Sequence, residues 1–526
     1  MIRTSRGARQ HREAHTAAGA TVNRRKAVKA IARQARLSNP DQRGWFGIGG
    51  GRSLMVQAPL EWRASSFQAC GLWPFAAGTG TPMIGVPVGR SLLSGAMVCC
   101  DPISWFQYAR LILNPSEFVL GRPGLGKSTL IRRQLTGLAG FGAIPMVLGD
   151  LKPDYVDLVE ALDGQVIRLG RGRGYVNVLD ISDAQAAANR LAANGFPKDA
   201  AEVVADARGR RQNLLEMLVE LGRRSSISDR ETAILAVALE ILDDHVQVPV
   251  LEDVVRVIGE RPNQLREVAM DRGDESRYLD NTENLMVSLR GLMGAGRLGE
   301  IFSQHSSVQM RRDRAVAFDI SSIEDGDKTL QAAALVTCWS TGFRGIGISQ
   351  VMAACELEPQ RHYVATVDEL HRPLKAGAGM VERTDNTTRL NRQGGYGTIY
   401  CTHTMSDLVL ADPADTAKAR GFVERSGIVV CGGLPRKEMD ELLTPVVPMG
   451  EAEINMVAGW QDPPAWTNAD VDSPPPGRGK FLIKVGGRPG IPVQVQLTPA
   501  EAAVNDTNKL WHDASRINSK RQEDTS

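Results

Sequence analysis

Residues 121–128 read Gly-Arg-Pro-Gly-Leu-Gly-Lys-Ser, which is G-x-x-x-x-G-K-S/T without deviation. Those residue types at that spacing hold phosphate. Gly121, Gly124 and Gly126 let the backbone turn and bring its N–H groups up to phosphate oxygens. The N-terminus of a following helix adds positive potential there. Lys127 is a point charge for β- and γ-phosphates, and Ser128 offers a hydroxyl to Mg2+. Thr129 stands one position on, in reach of an α-phosphate, while Arg122, Pro123 and Leu125 complete the loop. The flanks agree: Glu117-Phe118-Val119-Leu120 reads as a buried strand leading in, and Thr129 to Leu138 as a helix leading out. The loop predicts binding of a nucleoside triphosphate with Mg2+.

A loop that hydrolyses its nucleotide needs a carboxylate near the metal and a group that orients water. The strand-like run Tyr363-Val364-Ala365-Thr366-Val367 ends in Asp368-Glu369. Asp368 is expected to hold the Mg2+ shell through water, and Glu369 to polarise the attacking water. Two other apolar runs end in an acid, Met146–Gly149 before Asp150 and Val316–Phe318 before Asp319, and either is an alternative on the metal side. Asp319 is followed by Ile320-Ser321-Ser322 and supplies at most half of an acid pair, so it ranks second. Arg389 and Arg392 precede the strand Thr398–Cys401 and are candidates for an arginine finger reaching a neighbouring subunit's nucleotide; the alternative is a surface ion pair. His403 follows Thr402 at the tip of that strand and is expected to sense the γ-phosphate, the rival being a histidine packed at the sheet edge.

These groups need a scaffold, and the chain is long enough for one. Its 526 residues allow about three structural units. A content of 42% hydrophobic and 23% charged residues excludes a disordered or collagen-like chain. The seven cysteines, Cys70, Cys99, Cys100, Cys338, Cys355, Cys401 and Cys431, form no CxxC or CxxH pair, which argues against a disulfide framework or a zinc site. Reduced thiols in a cytosolic chain are expected. The longest uninterrupted apolar candidate, Ala332 to Trp339, is too short to span a bilayer, and the basic N-terminus lacks the apolar stretch of a secretory signal.

Charge is unevenly placed. Residues 1–43 hold eleven Lys/Arg and two Asp/Glu, a net +9, so a total of +2 leaves −7 on the remaining 483 residues. Such an arm suits nucleic acid or an anionic membrane face, although a solvated tail is the simpler alternative. Within it Val28, Ile31, Ala32 and Ala35 fall at helical spacing. Residues 1–65 form this arm and a glycine-rich linker, Gly47–Gly51. Residues 66–183 alternate apolar runs with turns and read as the first part of an α/β domain. Residues 184–310 are helical, with stripes at Leu214, Leu215, Leu218 and Leu221, at Ile234, Leu235, Ala238, Leu239 and Leu242, and at Val254, Val255 and Ile258. Residues 311–461 return to strand rhythm. Residues 462–511 hold a Pro-rich linker and a last strand pair, Lys480–Val485 and Pro492–Leu497, before a polar tail at 512–526.

The order of motifs resembles a known family. Asn114-Pro115 precedes the strand into Gly121–Ser128. Asp150-Leu151-Lys152-Pro153-Asp154-Tyr155 closes the next strand, and Tyr175-Val176-Asn177-Val178-Leu179-Asp180 follows. After the helical insertion come Val316–Ser321, Asp368-Glu369, and an Arg-rich segment ending in Thr402-His403. Gly85–Gly89 and Asp101-Pro102 look like the strand region ahead of the phosphate loop. Over about residues 70–500 this resembles the HerA/FtsK superfamily of ring-forming motors, and within it the conjugative type IV secretion ATPases, meaning the fourth VirB component and its TraC-like relatives.

The resemblance implies an α/β fold with a RecA-like P-loop NTPase core and an inserted all-α subdomain. It implies an ATP-hydrolysing homo-hexamer at the cytoplasmic face of the membrane, peripheral to it and docked on type IV secretion channel components. Such a motor powers transfer of DNA or protein, or assembly of channel or pilus. A DNA translocase or coupling ATPase of the same superfamily, and a nucleotide-gated scaffold, are the alternatives. About 70 residues precede the region of resemblance, so the family's large N-terminal domain is expected to be absent or encoded elsewhere. The family's usual sensor glutamine is His403 here, whose titration near neutrality would make activity pH-sensitive.

Overall fold

The computed structural model describes Lys29 and residues 82–294, 299–376, 380–382, 384, 394–461 and 475–504. Apart from Lys29 the basic arm, with Cys70, Arg389, Arg392, residues 462–474 and the polar tail, lies outside the described residues.

All five residues of the strand Ser116–Leu120 are buried, which is why its last three, Phe118-Val119-Leu120, are apolar without alternation. Phe118 and Leu120 face one core and Val119 the other, so helices must cover both sides. In chain order the strands are β1 (Pro87–Ser91), β2 (Met97–Cys99), β3 (Ser116–Leu120), β4 (Ile144–Asp150), β5 (Gln165–Arg168), β6 (Val316–Asp319), β7 (Tyr363–Val367), β8 (Tyr396–Thr402), β9 (Ile428–Cys431), β10 (Lys480–Lys484) and β11 (Ile491–Val495). They form one 11-stranded sheet in the order β2-β1-β11-β10-β9-β3-β8-β7-β4-β6-β5. From β9 to β5 the pairing is parallel, and from β9 to β2 antiparallel. The last strand pair is therefore no appendage, because β10 continues the sheet beside β9.

One face carries α1 (Pro102–Gln107), α2 (Lys127–Gly140) and α3 (Val156–Ala161). Asp101 caps α1 by accepting from Ser104 N at 2.6 Å and ties it to the strand region by accepting from Val86 N at 2.9 Å. Leu130, Ile131, Leu135 and Leu138 turn one face of α2 onto the sheet.

The helical block lies between the parallel neighbours β5 and β6. It comprises α4 (Ser182–Ala193), α5 (Pro197–Arg223), α6 (Asp229–His245), α7 (Leu251–Glu260), α8 (Asn263–Val268) and α9 (Glu275–Gly291). Its leucine stripes share one apolar core with the second face of the sheet. Arg211 of α5 and Asp243 of α6, both almost fully buried, join the two helices through bonds of 2.6 and 2.9 Å. The helix α10 (Lys328–Ala354) packs on both β4 and α5 and is apolar on most sides for that reason. Ala332–Trp339 lies within it, buried. Among the described residues no helix is long and apolar enough to cross a membrane.

A buried acid sits directly behind the phosphate loop. Glu117 of β3 is fully buried and accepts twice from Gln134 Nε2 of α2, at 3.0 and 2.8 Å. Burial raises its carboxyl, against the hydrogen bond from Gln134, to about 8. The folded protein thus keeps a proton that the unfolded chain releases, and stability falls as pH rises from the ordinary glutamate value of 4.5 to about 8. At about 1.4 kcal/mol per pKa unit the window is worth a few kcal/mol. Glu117→Gln removes the titration, and its amide can donate to Gln134 Oε1, which has no partner among the described residues. Its thermal-denaturation advantage over the parent is expected to widen across that window. A difference that stays constant with pH would sink the assignment.

Candidate nucleotide site

The helix α2 begins at Lys127 itself, and its N-cap Gly126 sits at φ +96°, where a Cβ would be strained. No side chain caps α2 and its first turn carries no acid, so its leading N–H groups stay available to an anion. Lys127 Nζ donates to Gly121 O at 2.7 Å and Arg122 O at 3.4 Å, and lies 3.0 Å from His403 Nδ1. An ammonium only donates, so Nδ1 is the acceptor and the ring proton is on Nε2. That nitrogen is 3.4 Å from Glu369 Oε1.

Strand order creates this chain of contacts. β8 lies between β3, which feeds the loop, and β7, which ends in the acid pair. Thr402-His403 at the tip of β8 therefore stands between Lys127 and Glu369. Glu369 is buried at φ +52°, a left-handed conformation that costs a non-glycine residue about 1–2 kcal/mol. Burial alone would raise its carboxyl. The hydrogen bond from His403, with the charges of His371 and Lys152, overcomes that and holds it at about 2. Lys152 Nζ is 3.6 Å from Oε1 and His371 Nδ1 is 3.5 Å from Oε2.

Asp368 accepts from Tyr155 Oη at 3.1 Å and from Glu369 N at 2.8 Å. Burial, then the charge of Glu369, pushes its carboxyl up. Asp150 is buried and accepts from the backbone N–H groups of Tyr155 (2.8 Å) and Asp154 (3.2 Å), yet burial still drives it well up. Asp154 accepts from Ser128 Oγ at 2.9 Å and is also raised, mainly by burial. Glu369 Oε2 is buried with no hydrogen-bond partner among the described residues.

Lys127, Ser128, Asp150, Lys152, Asp154, Asp368, Glu369 and His403 line a cleft of about 390 Å³ together with Pro123, Gly124, Thr129, Pro475 and Arg478. Three carboxyls raised mainly by burial lie opposite a lysine and an uncapped helix end that suit an anion. A phosphate chain carrying a divalent cation matches both halves. Among the described residues no group of three or more His, Cys, Asp or Glu forms an all-protein metal site. Mg2+ commonly takes only one or two carboxylates and relies on phosphates and water for the rest.

The structure thus brings Lys127, Ser128, Thr129, Asp368, Glu369 and His403 to one cleft. Gly121, Arg122 and Leu125 hold the loop's shape from behind: Gly121 N donates to His403 O, Arg122 N to Gly433 O, and Leu125 O accepts from Gly479 N. Of the two alternative acids Asp150 lines the cleft. Asp319 does not: β6 is separated from β7 by β4, and Arg168 Nε stands 3.8 Å from its carboxylate. The sequence reading assigned no role to Lys152, Asp154, Tyr155, His371 or Arg478. The first three belong to a loop leaving the C-terminal end of a parallel strand, where open α/β sheets place their sites, and that was the available signal. Arg478 had none, because it arrives through the distant pairing of β10 with β9.

No protein-family model and no curated protein matches the chain. Solved structures do. VirB4 of Thermoanaerobacter pseudethanolicus aligns over 81% of this chain and 100% of that one, at 16% identity and TM-score 0.57. The bacterial conjugative coupling protein TrwB, in its ΔN70 form, aligns over 88% and 97%, at 13% identity and TM-score 0.45. The plasmid coupling protein TrwB in complex with ADP and Mg2+ aligns over 80% and 96%, at 14% identity and TM-score 0.43. The VirB4 match carries the fold assignment. The chain has a RecA-like α/β P-loop NTPase core with a helical insertion, the fold it shares with VirB4.

Proposed function

We propose that the chain is an ATP-hydrolysing motor of a conjugative type IV secretion system, powering transfer of DNA or protein or assembly of the channel or pilus. The observation that carries this reading is the contact chain Lys127–His403–Glu369 across one cleft, which links the phosphate loop to the group that orients water. The VirB4-like fold supports the choice of system.

Lys127 exchanges its contacts with Gly121 O and Arg122 O for the β- and γ-phosphates as the triphosphate settles against the start of α2. His403 reports the γ-phosphate and passes its presence to Glu369 through the Nε2 proton. Glu369 orients the attacking water. Ser128 and Asp368 hold the metal, and bound Mg2+ supplies neutralisation of the phosphate charge. Arg389 or Arg392 acts from the neighbouring subunit, and the working unit is a ring, a homo-hexamer peripheral to the membrane through its channel partners.

The test is the rate of Mg2+-dependent ATP hydrolysis per subunit against protein concentration. A rise with concentration is expected from a site completed by a neighbour. No hydrolysis at any concentration overturns the reading. A second reading, a DNA translocase or coupling ATPase of the HerA/FtsK type, is favoured by the +9 charge of residues 1–43. It expects DNA to stimulate the rate, deletion of residues 1–43 to abolish the stimulation, and salt to weaken it steeply. Equal rates with and without DNA remove it.

A further inference from the structure

We propose that Arg478 is a nucleotide-binding residue of its own chain's cleft, donating to the phosphate chain at the α end. The inference rests on the nucleotide reading above and adds a contact that the phosphate loop itself does not supply.

Arg478 reaches the cleft on a braced loop. In the turn that leads into β10, Arg478 N donates to Pro475 O at 2.9 Å and Lys480 N to Gly477 O at 3.1 Å. Gly479 joins this turn to the phosphate loop by donating to Leu125 O at 2.9 Å, and to β11 by accepting from Val495 N at 2.8 Å. Gln494 Nε2 of β11 donates to Arg478 O at 3.3 Å. The backbone thus fixes the place of Arg478, and its guanidinium takes no part in the bracing. Arg478 is exposed and lines the cleft, and its side chain has no hydrogen-bond or ion-pair partner among the described residues. Arg122, the arginine inside the phosphate loop, donates instead to Gln461 Oε1 at 3.4 Å and is not part of the cleft wall.

Sheet order decides which part of a nucleotide Arg478 meets. The acids of the cleft come from the ends of β7 and β4, on one flank of β3, and β10 lies on the other flank. β7 and β10 are each two strands from β3, about 10 Å to either side. His403 and Glu369 take the γ-phosphate side, so Arg478 stands toward the opposite end of the phosphate chain. Gly126 locates that end. A Cβ at Gly126 would meet Gly479 N at 3.4 Å and Thr129 Cβ at 3.9 Å. Residue 479 and the threonine in reach of an α-phosphate therefore border the same point. An arginine one residue away covers the remaining distance with its flexible stem. Its guanidinium can offer a phosphate two parallel N–H donors, which a lysine cannot.

Arg478→Gln removes the charge and leaves the bracing bonds, which run through the backbone at this residue. The experiment measures equilibrium binding of ADP and of a non-hydrolysable ATP analogue, both with Mg2+, to the full chain. Affinity for both is expected to fall about tenfold or more and by the same factor, because both carry the α-phosphate. Unchanged affinity overturns the proposal. A loss confined to the triphosphate analogue also overturns it, since that puts the arginine at the γ-phosphate. So does an equal loss in Arg488→Gln, an exposed arginine of the turn between β10 and β11, outside the cleft, that controls for bulk charge. If Arg478→Gln also lowers the melting temperature of the nucleotide-free protein, Arg478→Lys decides: an affinity closer to wild type than that of the glutamine variant supports the proposal, and a loss as large overturns it. A wild-type protein that binds neither nucleotide overturns the nucleotide reading and this inference with it.

Discussion

Lys127→Ala is expected to yield a folded protein whose ATP turnover is lower by about 10²–10³-fold or more, the usual cost of removing one preorganised charge from a developing transition state. The ammonium is the cationic link between the loop and the rest of the site, at 2.7 Å from Gly121 O and 3.0 Å from His403 Nδ1. Its removal takes away the charge for the β- and γ-phosphates and also frees the His403 ring. Nucleotide affinity is expected to fall as well, because hydrogen bonds to charged groups are each worth about 1.5–3 kcal/mol. The fold should survive, since the apolar face of α2 is untouched. Steady-state hydrolysis, equilibrium nucleotide binding and circular dichroism check the three parts. Normal conjugative transfer in a strain carrying Lys127→Ala would rule out the motor.

Glu369→Gln separates binding from turnover. Turnover is expected to fall about 10²–10⁴-fold, the range for a group that handles the proton or water of the reaction. ATP binding is expected to stay, because Glu369 touches Lys152, His371 and His403 and none of the phosphate-loop backbone. A carboxyl held at about 2 is a weak proton acceptor. In the proposed mechanism Glu369 would therefore orient water better than it deprotonates it. It is ionised at every pH from mildly acidic upward, so an acid limb of the pH–rate profile near neutrality is not its own. Loss of hydrolysis with transfer intact would favour a nucleotide-gated scaffold over a motor.

The phosphate loop was legible because its chemistry is local. Three glycines, a lysine and a serine lie within eight residues, and the strand and helix beside them announce themselves by continuous burial and by helical spacing. Asp368-Glu369 was legible for a related reason, since a buried parallel strand ends where polar residues resume. The left-handed backbone at Glu369 left no mark in the sequence, because no glycine or asparagine announces it.

Residue types and short spacings, by themselves, determined that this chain carries a loop for phosphate, an acid pair at a strand end and a block of helices between stretches of strand. Only the tertiary structure decided that β8 lies between β3 and β7, and that His403 therefore bridges Lys127 and Glu369. It also decided that Asp154 takes the hydroxyl of Ser128, and that the loop before β10 brings Arg478 to the cleft. Periodicity reports which face of an element is buried, whereas neighbours within a sheet are chosen by hydrogen bonding between segments far apart in the chain.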